Sequence, residues 1–114
     1  MQNDILYQRL GVTPEQISEF CQRSRITELS LFGSILRQDF RSNSDVDMLV
    51  TFASESKISL LGLVGLETEL KELLHRDVDL VSKKAVEHDR NWLRRREILS
   101  NYQVIYESRS VLSA

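Results

Sequence analysis

The sequence predicts an α/β (α+β) fold, a small mixed β-sheet flanked by helices. Three observations carry this reading. β-prone runs recur at Ile26–Phe32, Val46–Phe52, 77–81 and 103–107. Leucines at helical spacing fill Leu60–Leu74. The resulting order, strand, strand, helix, strand, helix, strand, is that of a sheet covered by helices. With 114 residues, one domain spanning 1–114 is expected, large enough to bury a core without disulfides or metals.

The elements follow in chain order. Thr13, Pro14 and Gln16 are an N-cap, a first helical residue and the back-reaching member of a capping box. Ile17, Phe20 and Cys21 then share one face, which predicts a helix over 14–24, with Cys21 as a small buried hydrophobe. ITELSLF forms the first strand and ends at Gly33-Ser34. Residues 35–40 read as a short helical turn, and Arg41-Ser42-Asn43-Ser44 as a polar loop. VDMLVTF is the second strand, and 54–59 a polar connection. In the next helix Leu63, Leu66, Leu70, Leu73 and Leu74 lie in one stripe, while Leu61 and Val64 fall off it and are expected to form a small contact patch. DVDLV is the third strand. Residues 83–102 are helix-compatible, best from Asn91, with Trp92 and Tyr102 assigned to the core and Arg95 inside the apolar stripe, placed to snorkel or to meet an anion. QVIYE closes the sheet, with Tyr106 also in the core.

Composition excludes several classes. One cysteine rules out an internal disulfide or a cysteine-based zinc site, and two histidines argue against a histidine-rich metal centre. The longest apolar stretch is interrupted by Glu67, Glu69, Lys71 and Glu72, so no membrane span is expected. The start, MQNDILYQRL, lacks the pattern of a signal peptide, and a cytoplasmic protein is expected. A net charge of −2 argues against binding nucleic acid through overall positive charge, and no direct nucleic-acid contact is expected.

The acidic residues stand out. Two strands carry the same tripeptide, Asp45-Val46-Asp47 and Asp77-Val78-Asp79. Residues i and i+2 of a strand share a face, so Asp45 and Asp47 present neighbouring carboxylates. Such a pair repels unless a cation intervenes, and oxygen-only ligands favour Mg2+ or Mn2+ over zinc. Gly33-Ser34 follows a strand and precedes a helical turn; glycine there lets a phosphate approach the backbone, where amides and the serine hydroxyl donate to it. A phosphate cradle beside a carboxylate pair is the apparatus of nucleotidyl transfer. A third carboxylate is wanted from a neighbouring strand, and Asp79 or Asp77 is placed to supply it.

At these residues the chain resembles the nucleotidyltransferase superfamily related to DNA polymerase beta, most closely its minimal nucleotidyltransferase (MNT) domain proteins. The matching positions in LFGSILRQDFRSNSDVDMLVTF are Gly33, Ser34, Arg37, Asp39, Ser44, Asp45, Asp47 and Val50. VDLV resembles the branch's third motif, making Asp79 the carried-over third carboxylate. Gln38 departs from the pattern, where many members have glycine. The resemblance implies a nucleotidyltransferase fold, with Asp45, Asp47 and Asp79 as catalytic metal ligands for Mg2+ or Mn2+, and Gly33, Ser34, Arg37 and Ser44 binding the nucleotide phosphates. It also implies the antitoxin half of a HEPN–MNT toxin–antitoxin pair, which moves AMP from ATP onto a tyrosine of a HEPN ribonuclease toxin. Two other readings stand beside it: an antitoxin that neutralises by binding alone, and a nucleotidyltransferase for small molecules. The last usually carries an additional acceptor-binding domain.

Overall fold

The computed structural model describes residues 2–53 and 58–108. Four strands, β1 (Ile26–Phe32), β2 (Val46–Phe52), β3 (Val78–Ser82) and β4 (Tyr102–Glu107), form one sheet in the order β3-β2-β1-β4. β1 pairs antiparallel with β2 and β4, whereas β2 and β3 are parallel. A parallel pair needs a crossover, and helix α3 (Leu60–Leu74) supplies it. The mixed sheet with flanking helices is the fold class read from the sequence.

The two sheet faces have different roles. Val46, Met48 and Val50 of β2 join Leu29, Leu31, Val78 and Leu80 in the main core. The opposite face carries Asp47 and Leu49, flanked in register by Phe32 and Ser30 on β1 and by Asp79 and Val81 on β3. Helices α4 (Lys83–Glu87) and α5 (Trp92–Leu99) cover part of it, packing Val86 and Ile98 on Leu49. That cover ends short of the start of β2 and β3, leaving Asp47 half-buried and Asp79 exposed.

Helix α2 (Pro14–Arg23) begins as its sequence dictates. Thr13 Oγ1 accepts from Gln16 N–H at 3.1 Å, and the Thr13 N–H donates to Gln16 Oε1 at 2.9 Å. Thr13→Ala should cost about 1 kcal/mol of stability by urea unfolding. Ile17, Phe20 and Cys21 are buried as expected, and burial pushes the Cys21 thiol up to about 12, leaving it unreactive at neutral pH. In α3, Leu70 and Leu74 are buried, while Leu63, Leu66 and Leu73 pack against the core from its margin. Leu61 and Val64 are 83% and 49% exposed, so the off-stripe patch faces solvent. The connection at 54–57 lies outside the described residues.

β3 lies at the edge of the sheet, and one of its outward amides is already occupied. Glu67 on α3 accepts from Leu80 N–H at 2.9 Å through Oε2.

Several elements differ from expectation. Helix α1 (Gln2–Leu10) was read only as the absence of a signal peptide. It buries Leu6, Tyr7 and Leu10, ends at Gly11 with φ +76°, and is tied to β4 by the Tyr7 hydroxyl donating to Ile105 O at 2.9 Å. The helical turn expected at 35–40 is instead a 3₁₀ turn over Gly33–Leu36, because Gly33, at φ +77°, bends the chain as soon as β1 ends. The 83–102 helix is two helices, broken where the His88 N–H caps α4 and Asn91 Oδ1 starts α5. Trp92, expected in the core, is 56% exposed because it sits on the first turn of α5, beyond Ile98 and Leu99. Tyr102 and Tyr106 do pack against the cores. Among the described residues Arg95 meets no acidic side chain; its Nη1 donates to Asp89 O at 2.9 Å. No described helix is long and apolar enough to cross a membrane.

Candidate active site

Gly33 is the corner of the site. Its positive φ is open to glycine at little cost, and a side chain there would have to displace the Asp47 carboxylate. A Cβ there would collide with Asp47 Oδ2 and lie 3.3 Å from Asp47 Cγ. The backbone at Gly33 therefore runs directly against the Asp47 carboxylate. This follows from pairing, since Phe32, the residue before Gly33, is the β1 partner of Asp47. Ser34 joins the corner to the other acid, its Oγ donating to Asp45 O at 3.3 Å.

The parallel pairing of β2 and β3 aligns the two Asp-Val-Asp tripeptides. Asp47 lies opposite Asp79, and the Val46 N–H donates to Asp77 O at 2.9 Å. Burial raises the Asp47 carboxyl above the usual carboxylate range, and the charges of Asp79 and Asp45 raise it further. The Arg37 guanidinium opposes the shift. The register sets Asp79, and not Asp77, directly opposite Asp47.

Six of the sequence-predicted residues thus meet: Gly33, Ser34, Arg37, Asp45, Asp47 and Asp79. Ser44 is turned to its own loop, where its Oγ accepts from Arg41 N–H at 3.1 Å. Arg37 is exposed and also pairs with Asp39 at 3.6 Å. Among the described residues, no three His, Cys, Asp or Glu side chains meet closely enough to enclose a metal ion. The acids form an open set. That suits Mg2+, which takes one or two carboxylates and keeps water and substrate phosphate as its remaining ligands. Electrostatically the site gathers the charges of Asp45, Asp47 and Asp79, opposed by Arg37, beside a backbone corner shaped for close approach.

Three residues at the site left no mark in the sequence. Arg9, Phe40 and Arg76 all act on the segment that joins the corner to Asp45. Their hydrogen-bond partners are backbone carbonyls, which no spacing pattern records.

A family model described as a nucleotidyltransferase domain matches residues 14–105. The protein adenylyltransferase MntA of Thermococcus cleftensis is 41% identical over 68 residues, 60% of this chain and 67% of that protein. The chain spans about two-thirds of the length of the curated relatives it matches. Among solved structures, a toxin–antitoxin complex with AMP-PNP superposes with a TM-score of 0.66 at 18% identity, over 88% of this chain and 77% of that one. A complex of tri-AMPylated Shewanella oneidensis HEPN toxin with MNT antitoxin gives 0.58 at 17% identity, over 88% and 74%. At such identities the two structures share the fold with this chain.

Proposed function

We propose that this chain, which belongs to the nucleotidyltransferase family, transfers AMP from ATP to a tyrosine of a HEPN-type toxin and so serves as the toxin's antitoxin. The observation that carries the reading is the Asp47 carboxylate, held between the Gly33 backbone and Asp79 and raised above the usual carboxylate range by burial and its acidic neighbours. The relative named as a protein adenylyltransferase and the complex holding an AMPylated HEPN toxin support the donor, the acceptor and the partner.

Asp45, Asp47 and Asp79 would hold Mg2+ (or Mn2+), which when bound neutralises triphosphate charge and favours departure of pyrophosphate. Gly33 admits a phosphate oxygen to the backbone, and Ser34 Oγ turns from Asp45 O to donate to it. Arg37, whose charge already reaches Asp47, adds positive charge on the phosphate side. Ser44 shapes the loop before Asp45 in place of touching phosphate. Asp79, exposed and opposite Asp47, is placed to take the proton of an incoming tyrosine hydroxyl. An ATP donor fits a reaction in the cytoplasm.

Intact mass of a HEPN partner after incubation with the chain, ATP and Mg2+ tests this. The expected result is one or more added AMP units. Asp79→Asn should slow transfer on the order of a hundredfold or more, and Asp77→Asn much less, because Asp79 and not Asp77 is the register partner of Asp47. An Asp45→Asn, Asp47→Asn double variant that still neutralises the toxin would replace this reading with neutralisation by binding alone.

A further inference from the structure

The segment from Gly33 to Asp45 carries the corner and Arg37, yet beyond its 3₁₀ turn it has no helix or strand of its own. It is held from outside. Arg9, on α1, donates from Nη1 to Ile35 O and to Arg37 O, each at 2.6 Å. Arg76, between α3 and β3, donates from Nη1 to Arg41 O at 3.3 Å and to Ser44 O at 3.2 Å. Both guanidiniums lie against the Phe40 ring, at 5.9 Å for Arg9 and 4.8 Å for Arg76 from its centroid. All three side chains are half-buried.

The carbonyls they hold are informative. Those of Ile35 and Arg37 belong to the end of the 3₁₀ turn, where backbone acceptors lack partners within the turn. Ser44 O is the carbonyl just before Asp45, and Arg76 itself stands just before Asp77 and three residues before Asp79. One side chain therefore ties the entry of β2 to the entry of β3, and the other fixes the backbone of Arg37. A planar guanidinium can donate to two acceptors while its flat face lies on an aromatic ring, a geometry that the compact ammonium of lysine does not reproduce.

We propose that Arg9, Phe40 and Arg76 form a clamp that sets the distance between the Gly33-Ser34 corner and the carboxylates, and are positioning residues for nucleotide binding. The inference rests on the reading of this site as the nucleotide-binding site. Each arginine commits Nη1 to backbone carbonyls, and the exposed Arg37 is the cation offered to the triphosphate.

The test is titration calorimetry of AMP-PNP with Mg2+ into the full chain, together with KM for ATP and for the protein acceptor. Phe40→Leu, Arg76→Gln and Arg76→Lys should each weaken AMP-PNP binding about tenfold and raise KM for ATP to match, with KM for the acceptor unchanged. Phe40→Tyr, which keeps the ring, should bind within twofold of wild type, and its rescue separates positioning from a merely structural role. Arg76→Lys failing alongside Arg76→Gln shows that the fork, and not the charge, matters. If Phe40→Leu and Arg76→Lys both fold and bind as wild type does, the clamp is wrong. A wild-type chain that binds AMP-PNP but modifies no HEPN toxin counts against the acceptor, and the variants' binding constants still decide the clamp. A wild-type chain that binds no nucleotide removes the site reading and the clamp together.

Discussion

Replacing Asp47 with Asn is expected to stop nucleotidyl transfer and to raise the melting temperature in the same step. The loss of activity, on the order of a thousandfold or more by intact-mass assay, follows from removing the charge at the centre of the site. The gain in stability follows from the same charge. Asp47 is held above the usual carboxylate range by burial and by Asp79 and Asp45, so the folded chain keeps its proton to higher pH than the unfolded chain does. Stability therefore falls as pH climbs through the window between the two values, and at neutral pH the ionised carboxylate opposes folding. Asn has the same shape and no charge. A higher melting temperature than wild type at pH 7 is expected by calorimetry. The difference should vanish below the usual carboxylate range, where wild-type Asp47 is protonated in both states. Mg2+ should stabilise the wild type and be without effect on the variant, because a cation that binds only the folded chain raises its stability. A wild type that Mg2+ leaves unmoved would sink the metal assignment.

Gly33→Ala should cost both stability and activity, and Gly11→Ala separates the two. Both glycines have positive φ, +77° at Gly33 and +76° at Gly11. A Cβ at Gly11 would have nothing within 4 Å, so that substitution carries only the left-handed backbone penalty, about 1 kcal/mol, with transfer unchanged. A Cβ at Gly33 would meet the Asp47 carboxylate. Either the corner retreats from β2 or the Asp47 side chain leaves its position, and each moves phosphate and acid apart. A displacement of about 1 Å from reacting geometry costs on the order of a hundredfold. Gly33→Ala should therefore lose roughly that factor in kcat/KM while unfolding at a temperature near that of Gly11→Ala. Equal activity in the two variants would show that the close approach has no part in the reaction.

Much of this was legible before the coordinates. The leucine spacing of α3 and the Thr13-Pro14-x-Gln16 start of α2 are local signals written wholly in side chains, and both elements formed where expected. The alternation of β2 placed Asp47 on the face opposite Val46 and Met48, and the structure keeps it there. What escaped depends on partners distant in sequence. Helix α1 contains Leu6 and Leu10 one turn apart and a terminal Gly11, which together mark a short helix, but Asn3, Asp4 and Gln8 weaken its apolar stripe until the sheet is there to cover it. Residue order alone leaves Asp77 and Asp79 open; the family resemblance names Asp79, and the register of the parallel pair sets Asp79 opposite Asp47. Trp92 was misplaced because helical spacing identifies residues on one face but not how far the underlying layer extends.

The bond from Leu80 N–H to Glu67 bears on quaternary assembly. Inward amides of β3 serve β2, while the Leu80 amide points away from the sheet, where a foreign strand would seek it. Such a strand would have to displace a carboxylate that reaches Leu80 from within the same chain. Lengthening the sheet into a continuous ribbon across two molecules is thereby disfavoured on the flank beside the acidic centre, and a visiting protein is steered to approach that flank with side chains instead of backbone.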